Sequence, residues 1–243
     1  MAKAFGVAHK CGIAVDGVPM LQRVLGALTG ADVGLPILVS IDNADAGVRA
    51  AGAFSSQARM LSAANSAPSS AKAAVLTAGS FPVLVTTGDH ALLTAEMVTD
   101  FCARALGSRA DFCVGLATAE TILAAYPETK RTYFRLGSDR VSGCNLFAVT
   151  SPSGLKLFDV WHEMERNRKK PWKLVAAFGL RPLLAFAMGK LTLQKAFDEM
   201  SRRLGFRIAP VLLPFAEAAI DVDKPSDHAL AEQIIRQRMK SQG

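Results

Sequence analysis

Apolar positions along the chain alternate between a helical period and short continuous runs. Met20, Leu21, Val24, Leu25 and Leu28 recur at helical spacing and predict one buried helix face. Pro19 suits the first turn of that helix, and Asp16-Gly17 the turn before it. Pro36 to Ile41 is an apolar run closed by Asp42-Asn43-Ala44-Asp45, the pattern of a buried strand. A short helix over Val48 to Phe54 and a short strand over Arg59 to Ser62 are expected next. Asn65 to Ser70 reads as a loop in which Ser69 or Ser70 caps a helix over Ala71 to Ala78. Pro82 to Thr86 is β-branched and leucine-rich and bounded by Pro and Gly, which fits a buried strand better than a helix. Thr87-Gly88 turns the chain, Asp89 follows at the strand's C-terminal end, and Thr94 caps a helix running to about Leu106.

The alternation continues with a strand over Asp111 to Thr118 and a helix over Ala119 to Ala125. Tyr126 to Arg131 is a polar connection, and Thr132 to Leu136 and Val141 to Val149 are strands joined by Gly137-Ser138-Asp139. Strands alternating with helices predict an α/β fold with a layered, mainly parallel sheet and right-handed crossovers. From about 153 to 204 the pattern turns helical and basic, as an insert in one domain spanning 1–243. Arg166 to Lys170 is a charge run, ordinarily a solvated face. Trp172, Phe178, Leu183, Leu184 and Phe186 form an amphipathic unit beside it. Packing on the core is the ordinary fate of such a unit; peripheral contact with a membrane surface and a homodimer interface are the alternatives. Phe206 to Leu213 and Ala218 to Val222 read as strands, and Pro225-Ser226 opens a last helix from Asp227 to about Arg238.

Composition narrows the functional classes. Half of the 243 residues are hydrophobic and a fifth are charged, which predicts a packed core. Cys11, Cys102, Cys113 and Cys144 show no paired spacing, so buried free thiols and a reducing, cytoplasmic setting are expected. No apolar run reaches the length of a membrane span; the nearest, Leu174 to Gly189, is interrupted by Arg181 and Pro182. A net charge of +7 points to an anionic partner. Nucleic acid is the weakest candidate, because no helix-turn-helix, zinc finger or RNP pattern is present. No Gly-x-Gly-x-x-Gly follows a strand, which argues against a dinucleotide oxidoreductase.

Candidate chemistry gathers at strand ends. Open α/β sheets bind ligands beyond the C-terminal ends of their strands, and Asp89 is expected there, as are Asp221 and Asp223. Turns favour Asp in any case, so Asp89 could equally serve as a plain turn residue. Attack on the α-phosphate of a nucleoside triphosphate builds negative charge, which Mg²⁺ on two carboxylates and a nearby cation such as Lys10 would offset.

At these residues the chain resembles the MobA-like nucleotidyltransferases, whose fold is the three-layer glycosyltransferase-A type. Three stretches carry the resemblance: His9-Lys10 through Val24, Thr86-Thr-Gly-Asp89-His-Ala-Leu-Leu-Thr94, and Ala219-Ile-Asp221-Val-Asp223-Lys-Pro-Ser-Asp227 through Glu232. The resemblance implies that Lys10 contacts a phosphate, Asp89 is the first Mg²⁺ ligand, and Asp223 or else Asp221 the second. It implies that Asn65 and Ser70 lie near base and ribose. It implies acceptor contacts from Tyr126 to Tyr133, including Lys130, Arg131 and Thr132, and from Gly143 to Asn145. The basic insert is not shared with the better-known members and suggests a distinct acceptor. The family opens with a strand and a Gly-rich loop that have no counterpart before His9, so the start reads as truncated or degenerate. A missing central strand is expected to leave two sheet edges open. Ala91 stands where the family commonly has proline.

The implied activity is transfer of a nucleoside monophosphate to a phosphorylated small molecule or lipid precursor, with release of pyrophosphate. The rival readings are a non-catalytic nucleotide-binding or regulatory protein on the same fold, and a membrane-surface protein acting through the insert.

Overall fold

The computed structural model describes residues 1–167 and 191–241. A short hairpin, β1 (Ala14–Val15) and β2 (Val18–Pro19), turns on Asp16 and Gly17, whose φ angles are 49° and 77°. Helix α1 (Met20–Gly30) starts directly after Pro19 and buries the face expected of it, Met20, Leu21, Val24, Leu25 and Leu28 included. Pro19 thus precedes the helix and does not sit in its first turn; it pairs with Ala14 in the hairpin, which the Met20 N–H closes on the Ile13 carbonyl. The chain continues through β3 (Ile37–Ile41), α2 (Ala44–Ala51), β4 (Ala58–Ser62) and α3 (Ala67–Ala78). Strand β5 (Val83–Thr86), α4 (Ala95–Gly107), β6 (Phe112–Thr118), α5 (Ala119–Ala125), β7 (Phe134–Leu136) and β8 (Asp139–Val149) follow. Helices α6 (Lys156–Asn167) and α7 (Leu193–Leu204), strand β9 (Ile208–Leu212) and helix α8 (Pro225–Ser241) complete the described chain. The Trp172–Phe186 unit and most of the Arg166–Lys170 run fall outside the described residues.

One sheet runs in the order β5-β8-β6-β9, with β7 paired to β8. Strand β8 is antiparallel to β5, β6 and β7, whereas β6 and β9 are parallel. It follows that β5, β6, β7 and β9 all point one way and β8 runs against them, a mixed sheet. β3 and β4 form a separate parallel pair. Among the described residues, β3 and β4 pair only with each other, and β5 pairs only with β8. All of β5 and the first four residues of β3 are only half buried.

Period-two alternation in β6 builds the layers. Cys113 and Ala117 face a core shared with Val24 and Leu28 of α1 and Met97, Val98 and Phe101 of α4. Phe112, Val114 and Leu116 face the opposite core, with Val75 of α3, Phe158 of α6 and Phe197 of α7. Helices therefore cover both faces of the sheet, the three-layer arrangement. Gly115 sits where an added side chain would press on Leu146 and Phe101 and make them give by a few tenths of an ångström. A third cluster joins Ile13, Val15 and Met20 to Ala91, Leu92, Ile220, Val222 and Ile234. It welds three distant stretches of the chain together.

Several local expectations are corrected. The cap of α3 is Ser66, not Ser69 or Ser70, because the helix begins at Ala67 with Pro68 in its first turn. Asn43 accepts from the Ala46 N–H, so α2 starts at Ala44, earlier than the apolar run suggested. Strand β7 starts at Phe134 rather than Thr132, and β8 already at Asp139, which leaves Gly137-Ser138 as a two-residue hairpin loop with Gly137 at φ 61°. Ala218 to Val222 is not a strand. Ala216–Ala219 is a 3₁₀ turn, and Val222 bonds to the Asp89 carbonyl instead of entering the sheet. Thr94 caps α4 as expected, accepting from the Met97 N–H at 3.2 Å.

Candidate functional site

The third core cluster decides where the charged residues meet. Lys10 lies in a 3₁₀ turn, Lys10–Gly12, which His9 caps by accepting from the Cys11 N–H. Ile13 and Val15, just beyond it, are fully buried against Ile220 and Val222. Asp89 follows β5 through Thr87 and Gly88, and the next residues, Ala91 and Leu92, are buried in the same cluster. The Asp89 carbonyl accepts from the Val222 N–H at 3.3 Å. Asp89 and Asp223 are thereby brought side by side.

Between them stands the Lys10 ammonium, 2.5 Å from Asp89 Oδ2 and 2.5 Å from Asp223 Oδ1. Burial lowers the Lys10 pKa, but the hydrogen bonds and charges of Asp223 and Asp89 outweigh it and raise the pKa overall. The same hydrogen bond to Lys10 pulls the Asp223 pKa down. At neutral pH Lys10 is thus an ammonium held between the two side chains.

A second constellation stands behind it. Arg131 donates through Nη1 to Asp221 Oδ1 at 2.6 Å and through Nη2 to the Asp221 carbonyl at 3.1 Å. Its Nη2 also lies 3.6 Å from Asp227 Oδ1. Asn145 donates to Asp221 Oδ2 at 3.2 Å from a backbone φ of 50°, a conformation that Asn tolerates better than most residues. Both Asp221 oxygens are engaged in this way. Burial, reinforced by the Asp223 charge, raises the Asp221 pKa. Asp227 accepts from the Asp223 and Lys224 N–H groups, at 3.2 and 3.1 Å.

Asn65, Lys130 and Thr132 are exposed. Ser70 sits in the first turn of α3, where its hydroxyl accepts from the Ala64 N–H at 2.9 Å. Ser66 and Ser69, beside it, reach His162 Nδ1 of α6 at 3.0 and 3.4 Å. Sequence reasoning missed the Arg131–Asp221–Asn145 clamp and the role of Asp227. Only for Asp227 was there a signal: it is the third residue of a helix that opens with proline, where an acidic side chain reaches back to the helix start.

Orphaned polar atoms mark the same place. Among the described residues, buried side-chain nitrogen and oxygen atoms without a partner fall in two stretches. They are Thr86, Thr87, Asp89 Oδ1 and His90 in one, and Arg131 Nε and the Tyr133 hydroxyl in the other. Such atoms are costly unless a ligand or water completes them. The His90 ring is fully buried against the backbone of Glu217 and Ala218, without a hydrogen bond of good geometry. Burial lowers its pKa to about 4, although the Asp89 charge opposes this, so the ring is neutral at pH 7. A separate cavity of about 790 Å³, lined by residues including Arg104, Thr118, Arg140 and Leu212, includes none of Lys10, Asp89 and Asp223 in its walls.

The donor set fits a hard divalent cation in part. Asp89 and Asp223 offer carboxylate oxygens, and Asp89 Oδ1 is buried and unpartnered. No group of three or more His, Cys, Asp or Glu side chains able to hold a metal occurs among the described residues. Two carboxylates, with the other positions left to water and phosphate, suit Mg²⁺ rather than Zn²⁺ or a Ca²⁺ cage. No described helix is long and apolar enough to cross a membrane.

Comparison with known proteins agrees with the architecture. Residues 1–140 match the MobA-like NTP transferase domain. A hypothetical transferase from Thermus thermophilus superposes with a TM-score of 0.79 at 28% identity, covering 93% of both chains. CMP:2-keto-3-deoxy-manno-octonic acid synthetase complexed with CTP superposes with a TM-score of 0.56 at 14% identity, over 96% of this chain and 95% of that one. The 4-diphosphocytidyl-2C-methyl-D-erythritol synthase of Anaerococcus prevotii gives a TM-score of 0.55 at 10% identity, over 93% of each chain. The last two likenesses establish a shared glycosyltransferase-A type fold. No curated protein sequence matches the chain significantly.

Proposed function

The chain belongs to the MobA-like NTP transferase family, and from that premise we propose that it moves a nucleoside monophosphate from a nucleoside triphosphate to a phosphorylated acceptor. An acceptor phosphate oxygen attacks the α-phosphorus. The new O–Pα bond forms as the bond from Pα to the bridging oxygen of the β-phosphate breaks, and pyrophosphate leaves. No covalent enzyme intermediate is required; positioning and charge stabilisation carry the rate.

One observation carries the reading: Asp89 Oδ2 and Asp223 Oδ1, from motifs far apart in sequence, converge on a single cationic group at 2.5 Å. That is an acidic pair built to share a positive charge. Mg²⁺ bound to these two carboxylates would neutralise charge building on the phosphate oxygens. Lys10 adds a mobile cation beside them, and the Arg131 clamp keeps Asp221 engaged and the Asp221–Asp223 segment in place. The hydroxyls of Thr86 and Thr87, just before Asp89 in the chain, are buried and without a partner. The acceptor class is a phosphorylated small molecule or lipid precursor, for which Lys130, Arg131 and Thr132 are the candidate contacts.

The test is a thermal-shift screen of the four ribonucleoside triphosphates with Mg²⁺, followed by pyrophosphate release with a panel of phosphorylated acceptors. CTP heads the screen, because one structure sharing the fold was solved with it. Binding to the native state raises apparent stability by mass action. A shift with one nucleotide and pyrophosphate release with an acceptor support transfer. Absence of a shift with all four overturns it, and a shift without turnover leaves a nucleotide-binding protein.

A further inference from the structure

Lys10 stands where a cation shared by Asp89 Oδ2 and Asp223 Oδ1 would sit. Its Nζ contacts one oxygen of each at 2.5 Å. A metal ion bridging these two oxygens from the same side would need the space that Nζ now fills. The pair cannot stand bare without cost, since two adjacent negative charges repel. Some positive charge must be resident, and in this state it is the chain's own.

We propose that Lys10 is the built-in counter-cation of the acidic pair, and that divalent metal binding and withdrawal of Lys10 are a single exchange. The proposal rests on the reading of Asp89 and Asp223 as metal ligands given above. It adds an order of events. Metal alone must evict an ammonium that makes two short ion pairs. A metal–polyphosphate complex brings anionic oxygens that give the displaced ammonium a new partner. Metal and triphosphate then strengthen each other's binding, as two ligands acting on one bistable element must. Three features suit Lys10 to the swing. Its stem has four rotatable carbons. Its side chain is 28% exposed, so it is not locked in the core. Asp223 is 64% exposed, so the pair opens towards solvent on that side.

The experiment measures Mn²⁺ binding to the full chain without nucleotide, by the electron paramagnetic resonance signal of free Mn²⁺. Wild type, Lys10→Met and Lys10→Arg are compared. Exchange predicts that Lys10→Met binds Mn²⁺ at least about tenfold more tightly than wild type, a gain within the usual range of coupling between ligands. Lys10→Arg, which keeps the competing charge, stays within about threefold of wild type, well inside that range. Equal or weaker binding by Lys10→Met overturns the proposal.

A second measurement needs no variant. Acetylation of Lys10 in the wild-type chain, followed by peptide mass spectrometry, is expected to speed up at saturating Mg²⁺ because the ammonium is released. An unchanged or slower rate overturns the exchange. Failure of the underlying metal reading looks different: Asp89→Asn would then leave Mn²⁺ binding and pyrophosphate release untouched.

Discussion

Asp227 holds Asp223 in place through the backbone: its Oδ2 accepts the Asp223 N–H at 3.2 Å and the Lys224 N–H at 3.1 Å. The Asp227 side chain is only 9% exposed and lies beside Arg131. This is a helix-start device that fixes the backbone at Asp223. Asp227→Ala removes the acceptor from two N–H groups and uncovers part of the Arg131 charge. The expected cost is about 1–3 kcal/mol of stability, read by urea unfolding. Mn²⁺ affinity should fall as well. A variant that loses stability but binds Mn²⁺ normally would limit Asp227 to a structural role.

Asp89→Asn is nearly isosteric and keeps the turn after β5. It removes a charge from the acidic pair. Pyrophosphate release is expected to drop by about 10²–10³-fold, the usual loss for one electrostatic group at a transition state. The far-UV circular dichroism spectrum should not change. Normal turnover would remove Asp89 from the proposed mechanism.

Arg131 is 9% exposed and forks onto Asp221, with Asp227 next to it. Arg131→Ala leaves two part-buried carboxylates short of a cation. Breaking such a pair costs about 3–5 kcal/mol, which thermal melts will register. Arg131→Lys should recover only part of this, because an ammonium cannot reproduce a planar fork that reaches both a carboxylate and a carbonyl. Full recovery would show that the charge alone matters.

Acid should loosen the protein through His90. Its pKa is lowered from 6.5 to about 4, chiefly by burial. In the window between those values the unfolded chain binds a proton that the folded chain refuses. Stability is therefore greatest above the unfolded value, falls as pH drops from 6.5 towards about 4, and levels off below. The full loss is about 3 kcal/mol. Unfolding free energies at several pH values check this, and His90→Gln should flatten the slope across that window. Parallel slopes in the two proteins would rule the mechanism out.

Local features were legible in the sequence where neighbours along the chain decide them. Thr94 capping α4, the buried face from Met20 to Leu28, and the strand expected over Asp111 to Thr118 all follow from periodicity and side-chain chemistry. Acidic residues at Asp89 and at Asp221 or Asp223, and Lys10 among the candidate cations, could also be picked out, because chain turns after apolar runs are where polar chemistry collects. The Ala218–Val222 stretch went wrong for a physical reason. Its composition favours a strand, but strands exist only where an edge is free to pair, and these residues pack on Ile234 and the Asp89 loop instead.

What the sequence by itself determined, then, was the set of elements, the layered α/β class and the charged residues available for chemistry. The tertiary structure decided which of them meet. Nothing local distinguishes Asp221 from Asp223, two residues apart. The fold turns Asp221 towards Arg131 and Asn145 and leaves Asp223 facing Lys10 and Asp89. That choice depends on burial of Ile220 and Val222 against Ile13, Val15 and Leu92, contacts between residues remote in the chain. Charge pairing follows from where apolar packing puts the backbone, and packing between distant segments is a property of the folded whole.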